Sequence, residues 1–162
     1  MKRNDKINYY LDMAEVALER STCIRRNWGA VIVKNDEIIS TGYNGAPRGR
    51  KNCCEMHECI REKLNIPRGE RYELCRSVHA EQNAIISAER SKMLDSSLFL
   101  VGKYYESEKY VENSNPCSMC KRVIINAGIK DIYIRESKKS YRHILVSQYI
   151  ENDDSLEGVL GY

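Results

Sequence analysis

His79-Ala80-Glu81 and, 38 residues beyond its histidine, the cysteine pair of Pro116-Cys117-Ser118-Met119-Cys120 combine one imidazole, two thiols and one carboxylate in a pattern suited to metal chemistry. Imidazole and thiolate are ligands that zinc prefers, and three of them leave the fourth tetrahedral position to a water. Zinc held by His79, Cys117 and Cys120 would bring the pKa of that water from about 15.7 toward about 7, supplying a nucleophile at neutral pH. Glu81 need not touch the metal; it can take up and return protons as the reaction requires.

These side chains must ride on elements that meet. Apolar residues recur at helical spacing over 4–20, with Asn4 or Asp5 able to cap the start. Residues 29–33 and 37–42 read as two strands around the hairpin turn Lys34-Asn35-Asp36-Glu37. From 45 to 76 the pattern dissolves into glycine, proline, charge and cysteine, and a loop of that length is usually functional or held by something. A helix over 79–93 places His79 and Glu81 in its first turn. A strand follows over 96–101, then a polar insert over 103–115. Pro116 precedes a second helix, carrying Cys117 and Cys120, and Gly128 stands at its left-handed stop. A strand over 129–135 completes a strand–helix alternation with right-handed crossovers and helices covering a largely shared sheet. Residues 141–150 fit an edge strand better than a short helix, and a polar tail follows.

The chain has 162 residues and no internal repeat or linker, which predicts one domain over 1–162 with a single core. With 26 basic against 23 acidic residues, a net charge of +3 is too mild for a protein that coats nucleic acid, though it permits a local anion pocket. Charges interrupt the apolar positions of the first twenty residues, unlike a signal peptide, and no run approaches the roughly 20 apolar residues of a membrane span. The expected setting is the cytoplasm, without nucleic-acid or membrane partners. Seven cysteines in a reducing compartment read as thiols or metal ligands rather than disulfides.

Taken alone, a Cys-x-x-Cys pair belongs more often to a structural zinc or a redox couple, and a Glu in a first helical turn is ordinary dipole chemistry. Joined in this order, with proline before the pair and a strand between the halves, the two motifs carry the signature of the zinc-dependent nucleobase deaminases. The chain resembles the deoxycytidylate deaminases of bacterial and phage type, within the cytidine deaminase-like superfamily. That resemblance rests on Ser21-Thr22-Cys23, Gly29-Ala30-Val31-Ile32-Val33, Gly42-Tyr43-Asn44-Gly45-Ala46-Pro47, His79-Ala80-Glu81-Gln82-Asn83-Ala84-Ile85, Pro116-Cys117 with Cys120, and Ile124-Ile125-Asn126-Ala127-Gly128-Ile129-Lys130.

The resemblance implies a three-layer α-β-α fold, with a mixed central sheet of about five strands and helices on both faces. It implies deamination of dCMP to dUMP by a homo-oligomer, commonly a hexamer, activated by dCTP and inhibited by dTTP with Mg²⁺ on the triphosphate. Asn44 would contact the sugar, Ala80 would contact substrate, and Tyr43 and Gly45 would belong to the nucleotide-binding surface. Turn chemistry is the alternative role for Gly42 and Gly45. Arg25, Arg26 and Arg48 lie in or beside these segments and could hold a phosphate bidentately.

Relatives of this type carry a second zinc at positions resembling Cys23, Cys53, Cys59 and Cys75. A closed four-thiolate site would also order a long loop poor in apolar residues. Cys54 and His57 are competing ligands, and small buried hydrophobes are the plain alternative for all five spare cysteines. His143 reads as a packed or surface residue. Other substrates stay open, among them a tRNA adenosine, free cytidine or a pterin precursor, as does a zinc-stabilised binding module. A module of that kind has no use for Glu81 beside an open metal position.

Overall fold

Residues 30–33 are all buried, and side chains that alternate between the two sides of a strand can all be buried only if the strand is covered on both faces. A computed structural model of the chain describes residues 1–157, and its elements run α1 (Lys6–Leu18), β1 (Arg26–Lys34), β2 (Glu37–Tyr43), α2 (Cys53–Met56), α3 (Ile60–Lys63), a 3₁₀ turn (Tyr72–Leu74), α4 (Ala80–Ile86), α5 (Arg90–Met93), β3 (Ser97–Tyr104), α6 (Ser118–Ala127), β4 (Asp131–Arg135), β5 (Tyr141–Leu145) and α7 (Ser147–Glu151). The strands form one sheet in the order β2-β1-β3-β4-β5. Only β3 and β4 pair in parallel, so only they need a crossover, and α6 supplies it.

Tyr10, Leu11, Ala14 and Leu18 of α1 pack on one face of the sheet against Val31, Val33, Phe99 and Val101. On the opposite face Ala30, Ile32, Leu98, Leu100, Ile132 and Ile134 meet Ala80 and Ala84 of α4, Met93 of α5, and Ile124 and Ala127 of α6. The three-layer, mixed five-stranded architecture is as expected. Asp5 caps α1 by accepting from the Asn8 amide at 2.9 Å, and Asn35 and Asp36 close the β1–β2 hairpin with φ of 51° and 65°.

Three local expectations change. The helix expected over 79–93 breaks after Ile86, where the backbone leaves the helical path at Ser87 (φ −85°, ψ 2°), and a new helical turn begins at Arg90. Residues 141–150 are both a strand and a helix, β5 then α7. The insert over 103–115 is anchored rather than merely polar: fully buried Val111 donates its amide to Gly102 at 2.9 Å, and Tyr110 donates to the Glu15 carboxylate. Of the polar tail, residues 158–162 lie outside the described residues.

Glu15 belongs to a buried charge network joining α1 to β4. Fully buried Arg135 donates to Asp12 and Glu15 at 2.7 Å each and to the Asn8 carbonyl at 3.2 Å. Burial raises the Glu15 carboxyl, but hydrogen bonds from Lys103, Arg135 and Tyr110 outweigh it and hold its pKa at about 2, below the ordinary 4.5. A depressed carboxyl contributes stability that is complete above its unfolded value and lost as pH falls toward its folded one. The span from 4.5 to about 2 corresponds to something on the order of 3 kcal/mol. Arg135→Met leaves two carboxylates short of a partner and is expected to cost about 3–5 kcal/mol at neutral pH. It should also shrink the loss of stability between pH 4.5 and 2; denaturant unfolding at a series of pH values measures both effects.

Candidate active site

Two helix starts face each other at the site. His79 is the N-cap of α4, its amide donating to the Gln82 side-chain oxygen at 3.0 Å, and Cys117 is the N-cap of α6, with Cys120 on its first turn. The approach depends on Gly42. A Cβ there would lie 2.3 Å from the Ala80 carbonyl oxygen and 2.4 Å from the Ala84 amide nitrogen, so β2 can seat α4 only without a side chain. Gly42 is thus a close-approach residue inside a strand, not a turn residue.

The His79 Nδ1 lies 3.4 Å from both the Cys117 and Cys120 Sγ atoms. Zinc bond lengths and tetrahedral angles put an imidazole nitrogen and a thiolate sulfur roughly 3.6 Å apart, so the three residues fit zinc with little movement. Among the described residues this is the one group of three or more His, Cys, Asp or Glu whose ligand atoms all lie within 4.8 Å of one another.

Protons are shared across the group. The Cys120 thiol donates to Cys117 and, aided by His79 and against burial, holds its pKa near 4; donation and burial push Cys120 itself well up. Burial disfavours a charged His79, but hydrogen bonds with Cys117 and Cys75 carry it to about 10. Glu81 is 6% exposed, and burial pushes its carboxyl upward, as expected of a group that must exchange protons near neutrality.

A pocket opens over this cluster. Of the residues expected there, Asn44, Ala80, Glu81, His79, Cys117, Arg25 and Arg26 line it, as do Cys23, Cys59 and Cys75. Asn44 is largely committed within the protein: its Oδ1 accepts from the Trp28 amide at 2.8 Å and the Ser21 hydroxyl at 2.5 Å, and its Nδ2 donates to the Arg26 carbonyl at 2.9 Å. Arg25 pairs with Glu62 at 2.9 Å. Outside the lining lie Arg48, which is exposed, and Tyr43, whose carbonyl accepts from Asn83. Gly45 also lies outside it, bridging to Val78. Burial raises the Cys53 thiol and the nearness of Cys23, Cys59 and Cys75 adds to it; at Cys23 burial again comes first, with Cys75 and Cys59 adding to it. Cys54 is partly buried and His57 exposed, each apart from the metal-tight group.

Trp28, Arg61, Arg68, Tyr72 and Asn115 also line the pocket. Sequence reading passed over them because four lie in segments with no period, where nothing announces which way a side chain faces. Among the described residues no helix is long and apolar enough to cross a membrane.

Residues 4–136 match the family model of the cytidine and deoxycytidylate deaminase zinc-binding region. The deoxycytidylate deaminase of Mycobacterium phage D29 is 33% identical over 85% of this chain and all of its own length. That of Schizosaccharomyces pombe is 30% identical over 92% of this chain, which spans only 45% of that longer protein. Among solved structures, the dCMP deaminase of cyanophage S-TIM5, in complex with dCMP and dUMP, aligns with a TM-score of 0.56 and 28% identity over 85% of each chain.

Proposed function

The chain belongs to the cytidine and deoxycytidylate deaminase family, and from that premise we propose that it hydrolyses dCMP to dUMP and ammonia as one zinc-dependent deaminase domain. The observation that carries this reading is one pocket with His79, Cys117 and buried Glu81 on its lining beside the cationic side chains Arg25, Arg26, Arg61 and Arg68. An apolar-walled metal end suits a base, and guanidinium groups suit a phosphate. The S-TIM5 relative was solved with this substrate and product pair.

His79, Cys117 and Cys120 would hold the zinc, which when bound would acidify a water enough to make it a nucleophile at neutral pH. Glu81 takes a proton from the attacking water and delivers it to the ring nitrogen beside the amino-bearing carbon; it then carries the proton of the newly formed hydroxyl, which becomes the carbonyl, to the amine as the C–N bond breaks and ammonia leaves. Its burial keeps bulk water from exchanging with that proton. Ala80 and Asn44 border the base and sugar; Asn44, tied to Trp28 and Arg26, acts mainly by holding the pocket wall in place.

Arg26 and Arg25 are the phosphate ligands in this reading. Arg26→Ala is expected to raise the dCMP KM by about 10- to 100-fold, the loss of a charge-assisted hydrogen bond, while leaving deoxycytidine unchanged. Parallel kinetics on nucleotide and nucleoside check it. A second, structural zinc is assigned to Cys23, Cys53, Cys59 and Cys75, supported by the nearness of the other three to Cys53. Metal analysis giving one zinc per chain removes it.

By the same resemblance the enzyme is a cytoplasmic homo-oligomer, a hexamer, controlled by dCTP and dTTP with Mg²⁺. Ammonia release from dCMP, dCTP, cytidine and deoxycytidine, with and without dCTP or dTTP, tests the whole reading. Turnover confined to free nucleosides overturns it.

A further inference from the structure

We propose that Arg61 and Tyr72 are positioning residues for His79, which fix the plane of its imidazole from the loop on the far side of the pocket. Arg61 is 4% exposed, yet among the described residues no carboxylate lies within ion-pair distance of it; its partners are main-chain carbonyls. The guanidinium donates to Pro67 at 2.8 Å, to Arg71 at 3.0 Å and to Glu70, gathering three carbonyls of a segment with little regular structure. A buried cation whose hydrogen bonds all go to carbonyls, with Glu73 acting on it only from beyond ion-pair distance, is costly to keep.

What it holds is Tyr72. The Arg61 guanidinium carbon lies 4.4 Å from the centre of the Tyr72 ring, a cation–π contact out of water where such contacts are strongest. The Tyr72 ring meets His79 edge-on, with centroids 5.2 Å apart and planes at 84°. Cys75, one residue beyond the same 3₁₀ turn, lines the same pocket as the imidazole. The ring is therefore braced from the loop while its Nδ1 points at two sulfurs 3.4 Å away on α6. An imidazole with a free χ2 would spread its lone pair over many directions, and groups that orient ligating histidines typically change metal affinity by about 10- to 100-fold.

The inference rests on the reading of His79 as a zinc ligand, and its test separates the two. Metal-free protein is titrated with Co²⁺, whose thiolate charge-transfer and ligand-field bands report geometry directly; bands lost in Cys117→Ser belong to the His79 site. Affinity is read by competition with a chelator. Tyr72→Leu and Arg61→Met are expected to shift those bands and weaken Co²⁺ by about 10- to 100-fold, while Tyr72→Phe, which keeps the ring, stays near wild type. Unchanged bands and affinity in Tyr72→Leu overturn the inference, as does a Tyr72→Phe variant as impaired as Tyr72→Leu. Should Arg61→Met fail to fold, the two Tyr72 variants decide alone. A wild-type protein lacking any Cys117-dependent band removes the zinc reading itself, and the inference with it.

Discussion

Glu81→Gln is expected to lower kcat for dCMP by about 10²- to 10⁴-fold while zinc content and KM stay within a few-fold of wild type. Glutamine matches the carboxylate in volume, so packing around a 6%-exposed side chain is preserved. What is lost is the ability to accept a proton and give it back. Burial raises the carboxyl toward the pH at which proton exchange is most efficient, and an amide does not titrate there at all. Removing a buried ionisable group also lifts a desolvation cost, so thermal stability should hold or rise slightly. Steady-state ammonia release, with zinc measured on the same preparation, checks each part. A metal-loaded Glu81→Gln enzyme working at a third of the wild-type rate would end the proton-shuttle assignment.

Stripping zinc with a strong chelator, or replacing Cys117 with Ser, is expected to abolish turnover and to lower the unfolding temperature. The metal's three ligands come from the starts of α4 and α6, so the ion ties two helices that otherwise meet through small apolar contacts beneath the sheet. A ligand held at a thousand times its dissociation constant stabilises the folded state by about 4 kcal/mol, which for a chain of this size means a drop of roughly 8–16 °C on removal. Readdition of Zn²⁺ should restore both activity and stability to chelated wild type but not to Cys117→Ser. If the chelated protein unfolds at an unchanged temperature and still releases ammonia, the site holds no functional metal.

The residues proposed to do the chemistry were readable because their signal is short-range. His79 with Glu81, and Cys117 with Cys120, are each set by helical spacing and by a cap, and the fold brings the imidazole and both thiols within 4.8 Å of one another. The α1, hairpin and α6 assignments are legible for a similar reason: period and end signals agree, from Asp5 at one helix start to Gly128, in the left-handed region at φ 81°, at another helix end. A break inside a periodic segment is harder to read. The 79–93 segment keeps a helical period, yet the backbone leaves the helical path at Ser87 and the first helix ends early.

Gly42 shows a different limit. Its neighbours Tyr43, Asn44 and Gly45 suggest a turn, and only the packing of β2 against α4 reveals that the missing side chain is the point. Arg61 shows a third. Most arginines are solvated, and nothing around this one in sequence says that three carbonyls will close over it.

The sequence by itself determined the candidate ligands and proton carrier and the alternation of strands and helices, because these rest on residue type and on short spacings, while the family was legible from a resemblance carried by motifs along most of the chain. Tertiary structure alone decided which arginines face the pocket, that Asn44 spends its amide on the protein, and that Tyr72 stands against His79. Those depend on contacts between segments far apart in the chain, where a side chain's direction is fixed by what packs behind it rather than by its neighbours in sequence.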